Sequence, residues 1–230
     1  VDWLAAVDLY CERLSPGFWA EPVNALSNLS FVVAALWGAL TARRLGVSHP
    51  VAWLLIVMTG LIGAGSFLFH TFANGWSELA DTLPIWSFVA VFVIAAMRYI
   101  GGMAARRVAR VALVVVAAAV LTLVFLASGE GASTAQATPD PLNGSGQYAP
   151  ALVALIVFAI LTRRRGHPAA PWVLAATGVF LLSLVFRTLD SDLCEALPLG
   201  THFLWHLLNG LMVGLLVQMF LREAPLSRPC

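Results

Sequence analysis

The chain has 230 residues, of which 60% are hydrophobic and 11% charged, with a mean hydropathy of +0.87. A soluble domain is nearer half apolar and a quarter charged, so this composition excludes a water-soluble globular protein and points to an integral membrane protein. The net charge of +1 identifies no partner; a lipid bilayer is expected around the chain and no nucleic acid. All thirteen basic residues are Arg, which together with the many alanines hints at a GC-rich bacterial source. Residues 1–15 lack the basic start and long apolar run of a signal peptide.

Segments of about 20 apolar residues predict an all-α, seven-helix membrane bundle. The spans fall near 21–42, 51–72, 80–100, 105–127, 148–163, 170–189 and 201–221. The chain reads as one domain: an outer N-terminal segment (1–20) and a bundle (21–222). The connection 128–147, rich in Gly, Ser, Thr and Pro, is predicted to be flexible and outside the membrane. The fourth span is almost wholly Ala, Val and Leu and is expected to face lipid.

Orientation follows from the arginines. Arg43 and Arg44 follow the first span, and Arg98, Arg106, Arg107 and Arg110 flank the turn between the third and fourth. Arg163, Arg164 and Arg165 follow the fifth, and Arg222 and Arg228 the seventh. With seven spans these lie on one side, which the positive-inside rule makes cytoplasmic. The N-terminus is then outside and the C-terminus inside, in a bacterial inner membrane with the opposite face periplasmic. Every acidic residue except Glu223 falls toward the outer half. The positive-inside rule does not require that crowding, which suggests a cation there.

His202 and His206 stand four residues apart in the last span, so a helix puts both imidazoles on one face. Ser66 and His70 repeat that spacing at the outer end of the second span, and Asp81 lies just past the next turn, at similar depth. Three imidazoles with an open fourth position form the catalytic zinc pattern, in which the ion activates water. Asp81 would then shuttle a proton or orient a histidine, and Ser66 would donate to the developing oxyanion. The plainer readings are an interhelical hydrogen-bonding histidine and a small packing serine. His49 and His167 each precede a proline and are expected to be solvated loop residues. The spacing is not His-Glu-x-x-His, so zincin protease chemistry is not indicated.

The motifs Gly65-Ser66-x-x-x-His70, Glu78-Leu79-x-Asp81 and His202-x-x-x-His206 resemble those of the alkaline ceramidases. So does the opening, Tyr10-Cys11-Glu12 with Glu21-Pro22-x-Asn24-x-x-Ser27-Asn28. The wider superfamily includes the adiponectin and progestin receptors. The resemblance implies hydrolysis of the amide bond of ceramide or a related N-acyl lipid inside the membrane, releasing a fatty acid and a long-chain amine. It implies zinc on His70, His202 and His206, with Ser66 and Asp81 completing the site. It also implies a calcium ion held by Asp8, Glu12, Glu21 and the Tyr10 carbonyl, and a Cys11–Cys194 disulfide that leaves Cys230 free. The chain departs from the family pattern at Leu9, where the family has Asp, and at Leu14, where it has Asn.

Other residues carry smaller expectations. Arg187 should pair with Asp190 or Glu21 near Asp192, and Asn24 and Asn28 should hydrogen-bond inside the bundle. An acyl tunnel should be lined by Phe67, Phe69, Trp86 and Trp205. The residues alone also admit a receptor-like bundle with a structural metal, a proton or metal transporter, or a lipid esterase or phospholipase on the same scaffold.

Overall fold

The computed structural model describes residues 2–127 and 140–226. Glu130, Arg228, Cys230 and residues 128–139 of the expected flexible connection lie outside the described residues. The described chain is helical: α1 (Pro22–Ser27), α2 (Leu29–Arg44), α3 (Pro50–Phe72), α4 (Gly75–Ala95), α5 (Ala105–Ala127), α6 (Ala149–Arg164), α7 (Ala170–Leu189) and α8 (His202–Glu223). A π turn, Ala96–Ile100, extends α4, and a 3-10 turn, Ser145–Tyr148, leads into α6.

Six segments are long and apolar enough to cross a membrane: Pro22–Arg44, Pro50–Phe72, Gly75–Ile100, Ser145–Arg164, Ala170–Leu189 and His202–Glu223. The expected seventh, α5, stands apart from these six. It is helical over its predicted range, and Leu113, Val114, Val115, Val116, Val120, Leu121 and Val124 are all exposed.

Local chemistry sets the helix ends. Pro22 and Pro50 occupy first-turn positions, where a missing N–H costs nothing. The α1–α2 break falls at Asn28, where the Ser27 hydroxyl and the Asn28 amide both donate to the Asn24 carbonyl and compete with the helical ladder. Helix α3 ends where Ala73 adopts a left-handed conformation (φ 43°). Helix α4 begins at Gly75, five residues before the predicted start at 80. The reason is a capping box: Asn74 Oδ1 accepts from the Ser77 N–H at 3.2 Å, and Ser77 Oγ accepts from the Asn74 N–H at 3.0 Å.

Helix α8 is the most buried of the six spans and packs against α7, α2 and α3. Between apolar helices in lipid, close packing of small residues replaces the hydrophobic drive of soluble cores. A Cβ on Gly210 would lie 2.5 Å from Ser30 Oγ, so α2 and α8 meet there with no room for a side chain. Gly65 plays the same part between α3 and α4. Pro84 cannot donate to the Ala80 carbonyl one turn back, and a Cβ on Gly65 would approach that oxygen to 2.0 Å.

Residues 2–21 form an irregular strap across the end of the bundle that holds the histidines. The Val7 N–H donates to the Ala73 carbonyl at 2.8 Å, and the Trp76 N–H to the Trp3 carbonyl at 3.1 Å. A Cys11–Cys194 disulfide ties the strap to the α7–α8 connection.

Candidate metal centre

His70 ends α3 and His202 and His206 open α8. The three buried side chains each offer a nitrogen, and these nitrogens lie within 4.8 Å of one another. The hydrogen bonds on the far side of two rings fix their tautomers. Ser27 has a single hydroxyl proton and donates it to the Asn24 carbonyl at 2.7 Å. It must therefore accept from His206 Nδ1, also at 2.7 Å. Glu21 Oε2 accepts from His70 Nδ1 at 2.5 Å. In their neutral forms both rings thus turn an unprotonated Nε2 inward, and those two atoms are 3.1 Å apart.

Two lone pairs at that distance repel unless a cation lies between them. A tetrahedral zinc site with bonds of about 2.0–2.1 Å separates its ligand nitrogens by roughly 3.3–3.4 Å, so the geometry fits. His202 adds the third ring, stacked on Tyr10 with centroids 3.6 Å apart, and its buried Nδ1 has no hydrogen-bond partner.

A second layer holds these rings in place. Arg13 Nε donates to Glu21 Oε1 at 2.5 Å, and Arg13 Nη2 donates to the His70 carbonyl at 3.1 Å. Burial acts to raise the Glu21 carboxyl pKa, but the hydrogen bonds from His70 and Arg13 and the Arg13 charge prevail and hold it below the usual carboxylate range. Asp190 Oδ1 accepts from the Thr201 and His202 N–H groups at 2.6 and 2.8 Å, placing an anion at the positive end of α8. Gly200 permits this approach. Its φ is +61°, and a Cβ there would lie 2.1 Å from that carboxylate oxygen.

Ser66 sits one turn before His70 and is buried. Its hydroxyl and His70 both lie within electrostatic reach of the Asp81 carboxylate. Asp81 Oδ1 is buried and has no partner. The structure therefore brings Ser66, His70, Asp81, His202 and His206 to one place.

The carboxylates expected to hold calcium form no metal-ligand cluster among the described residues. Asp8 is exposed. The Tyr10 carbonyl accepts from the Arg13 N–H at 3.1 Å. Glu12 accepts from the Val23 and Asn24 N–H groups at 2.7 and 2.8 Å, which caps α1. Glu21 is engaged by Arg13 and His70. Among the described residues, the three histidines are the one group with metal-ligand geometry.

Arg187 pairs with neither Asp190 nor Glu21, contrary to expectation, because Asp190 is committed to the start of α8 and Glu21 to Arg13. Arg187 Nη1 donates instead to the Tyr10 hydroxyl at 2.9 Å, while Asp192 is exposed. His49 and His167 are half-buried rather than solvated. Each accepts from the N–H two residues on, Val51 and Ala169, and His49 also meets the Tyr99 hydroxyl at 3.2 Å. Asn24 and Asn28 are buried and hydrogen-bonded, as expected. The sequence reading missed the side chains of Arg13, Tyr10 and Ser27. Tyr10 and Ser27 carried a signal, their places in the Tyr10-Cys11-Glu12 and Asn24-x-x-Ser27-Asn28 motifs.

An apolar cavity of about 410 Å³ begins one helical turn from this centre. Ile62, Ile85 and Asn209 line it, four residues before Ser66, four after Asp81 and three after His206 respectively. Trp86 and Trp205 line it as expected, but Phe67 and Phe69 do not. They point away from the Ser66–His70 face of α3, Phe67 toward Trp19 and Phe69 toward Tyr10.

No curated protein matches the chain. The ceramidase family model matches residues 9–223. With nearly the whole chain covered, and with the three histidines, Ser66 and Asp81 assembled at one end of a helical membrane bundle, the chain belongs to the ceramidase family.

Proposed function

We propose that the protein is a zinc-dependent intramembrane hydrolase that cleaves the amide bond of ceramide or a related N-acyl lipid, releasing a fatty acid and a long-chain amine. The observation that carries this reading is the pair of inward-facing Nε2 lone pairs of His70 and His206, 3.1 Å apart. Zinc held by His70, His202 and His206 would supply Lewis acidity to water and to the amide carbonyl. In this reading α5 is the seventh span, the strap lies on the extracytoplasmic side and the C-terminus is cytoplasmic, following the arginine distribution.

The chain's own residues divide the remaining work. Glu21 and Ser27 hold the Nδ1 protons of His70 and His206, which keeps both rings in the ligating tautomer. Ser66, beside Asp81, donates to the developing oxyanion or positions that carboxylate. The partnerless Oδ1 of Asp81 takes a proton from the attacking water and delivers it to the leaving nitrogen as the C–N bond breaks. The acyl chain occupies the apolar cavity past Trp86 and Trp205, whose volume falls in the range of ordinary ligand sites.

The test is a metal analysis and a ceramide hydrolysis assay on the purified protein in detergent. One zinc per chain and turnover lost in His70→Ala support the proposal. Hydrolysis that survives in His70→Ala overturns the catalytic assignment. One bound metal with no turnover on any lipid amide or ester leaves a receptor-like bundle instead.

A further inference from the structure

Arg187 is buried at the outer end of α7. Among the described residues no carboxylate lies within ion-pair distance of it; Glu21 is engaged by Arg13 and His70. Three aromatic rings surround its guanidinium instead: Tyr10 at 5.7 Å, Tyr148 at 5.5 Å and Trp205 at 5.4 Å from their centroids. Cation–π contacts of this kind attract a charge without neutralising it. Among the described residues its guanidinium makes one hydrogen bond, to the Tyr10 hydroxyl, and its buried Nε has no partner.

Leaving a cation unpaired in a membrane bundle is costly, so its surroundings matter. Tyr10 links it to the metal centre: one ring stacks on His202 at 3.6 Å while its hydroxyl receives the guanidinium proton. Asp81, His202 and His206 all lie within electrostatic reach. Tyr148 and Trp205, the other two walls of the aromatic box, also line the apolar cavity. Arg187 itself does not line the cavity; Tyr148 and Trp205 are the walls that its aromatic box shares with it.

We infer that Arg187 binds the carboxylate of the fatty acid released by hydrolysis. The amide substrate is neutral and the acid is an anion, so a cation that no described carboxylate contacts directly discriminates between them at the moment the C–N bond breaks. The free Nε–H and the fork geometry of arginine suit a carboxylate oxygen. Arg187 in this role holds the product after cleavage, which makes acid release slow and product inhibition strong. The inference rests on the lipid-amide hydrolase reading.

Binding without turnover tests it. A long-chain fatty acid and the fatty alcohol of equal length are titrated against the intact, metal-loaded protein in detergent, with metal content measured for each variant. The wild type should prefer the acid by about tenfold or more, the worth of a hydrogen-bonded charge. Arg187→Gln should bind the two equally while retaining its metal. An acid preference that persists in Arg187→Gln at full metal content assigns the carboxylate to the metal alone and overturns the inference. So does a wild type that binds both ligands alike.

If Arg187→Gln does not fold, Arg187→Lys decides. Loss of the fork should weaken acid binding several-fold and leave alcohol binding unchanged, and unchanged acid binding overturns the inference. A protein that prefers the acid yet cleaves no amide fails the hydrolase reading only, whereas one that cleaves amides without preferring the acid fails this inference only.

Discussion

Helices α5 and α8 are built from similar apolar residues and have nearly the same length, yet they occupy opposite places. Most described apolar side chains of α5 are exposed, whereas α8 is the most buried span and carries His202, His206 and Asn209 at the candidate centre. The difference is not hydrophobicity. Helix α8 has Gly210 where Ser30 presses in and Gly214 beside Ala34 and Trp37, while the described part of α5 offers Leu and Val to its surroundings. In a membrane, small and polar residues mark the interior face of a helix, because lipid already satisfies the apolar ones.

Substitutions can break or sharpen this contrast. The largest effect is expected on α8 itself. His206→Ala should lose its metal and reduce hydrolysis by on the order of 10³-fold or more, since groups that act as a unit fail together; metal content and turnover are read on one sample. Next comes the support for the α3 ligand. Glu21→Gln keeps the shape but removes the charge that holds His70 and should weaken metal affinity by about 10–100-fold, measured by competition with a chelator.

Packing effects follow. Gly210→Ala forces a methyl against Ser30 and should destabilise the bundle by about 1–3 kcal/mol, seen as a lower unfolding midpoint in detergent. The smallest effect belongs to α5. Leu113→Ala, at an exposed position, should change stability by less than about 0.5 kcal/mol. If Leu113→Ala cost as much as Gly210→Ala, the contrast between the two helices would be lost.

Much of this was readable from the chain because it is local. Helix lengths follow from apolar runs, and His202 with His206 follows from one turn of helix. Ser66 with His70 follows in the same way, and their common depth with Asp81 follows from a short turn. The late predicted start of α4 shows the limit of the apolar signal: Asn74 and Ser77 cap the helix with polar side chains that read as loop.

What stayed hidden lies in the strap, whose irregular backbone has no periodicity to read. Arg13 stands in none of the chain's motifs, yet it fixes Glu21 and through it His70. Tyr10 was considered only for its carbonyl, whereas its ring and hydroxyl connect His202 to Arg187. Arg187 was assigned a carboxylate partner by proximity in sequence, but backbone N–H groups claim Asp190 first. Each of these contacts depends on three-dimensional closure between segments that no spacing rule links.

The Cys11–Cys194 bond spans 183 positions, and this bears on the timing of biogenesis. A ribosome must pass residue 194 before the bond can close, by which point α1 to α7 have all been translated. The segment bearing Arg13 and Glu21 is then fastened over His70 only as α8 arrives with the other two imidazoles. Lipid-cleaving capacity would thus switch on at the end of synthesis, and a nascent chain stalled earlier would reside in the bilayer as a harmless intermediate.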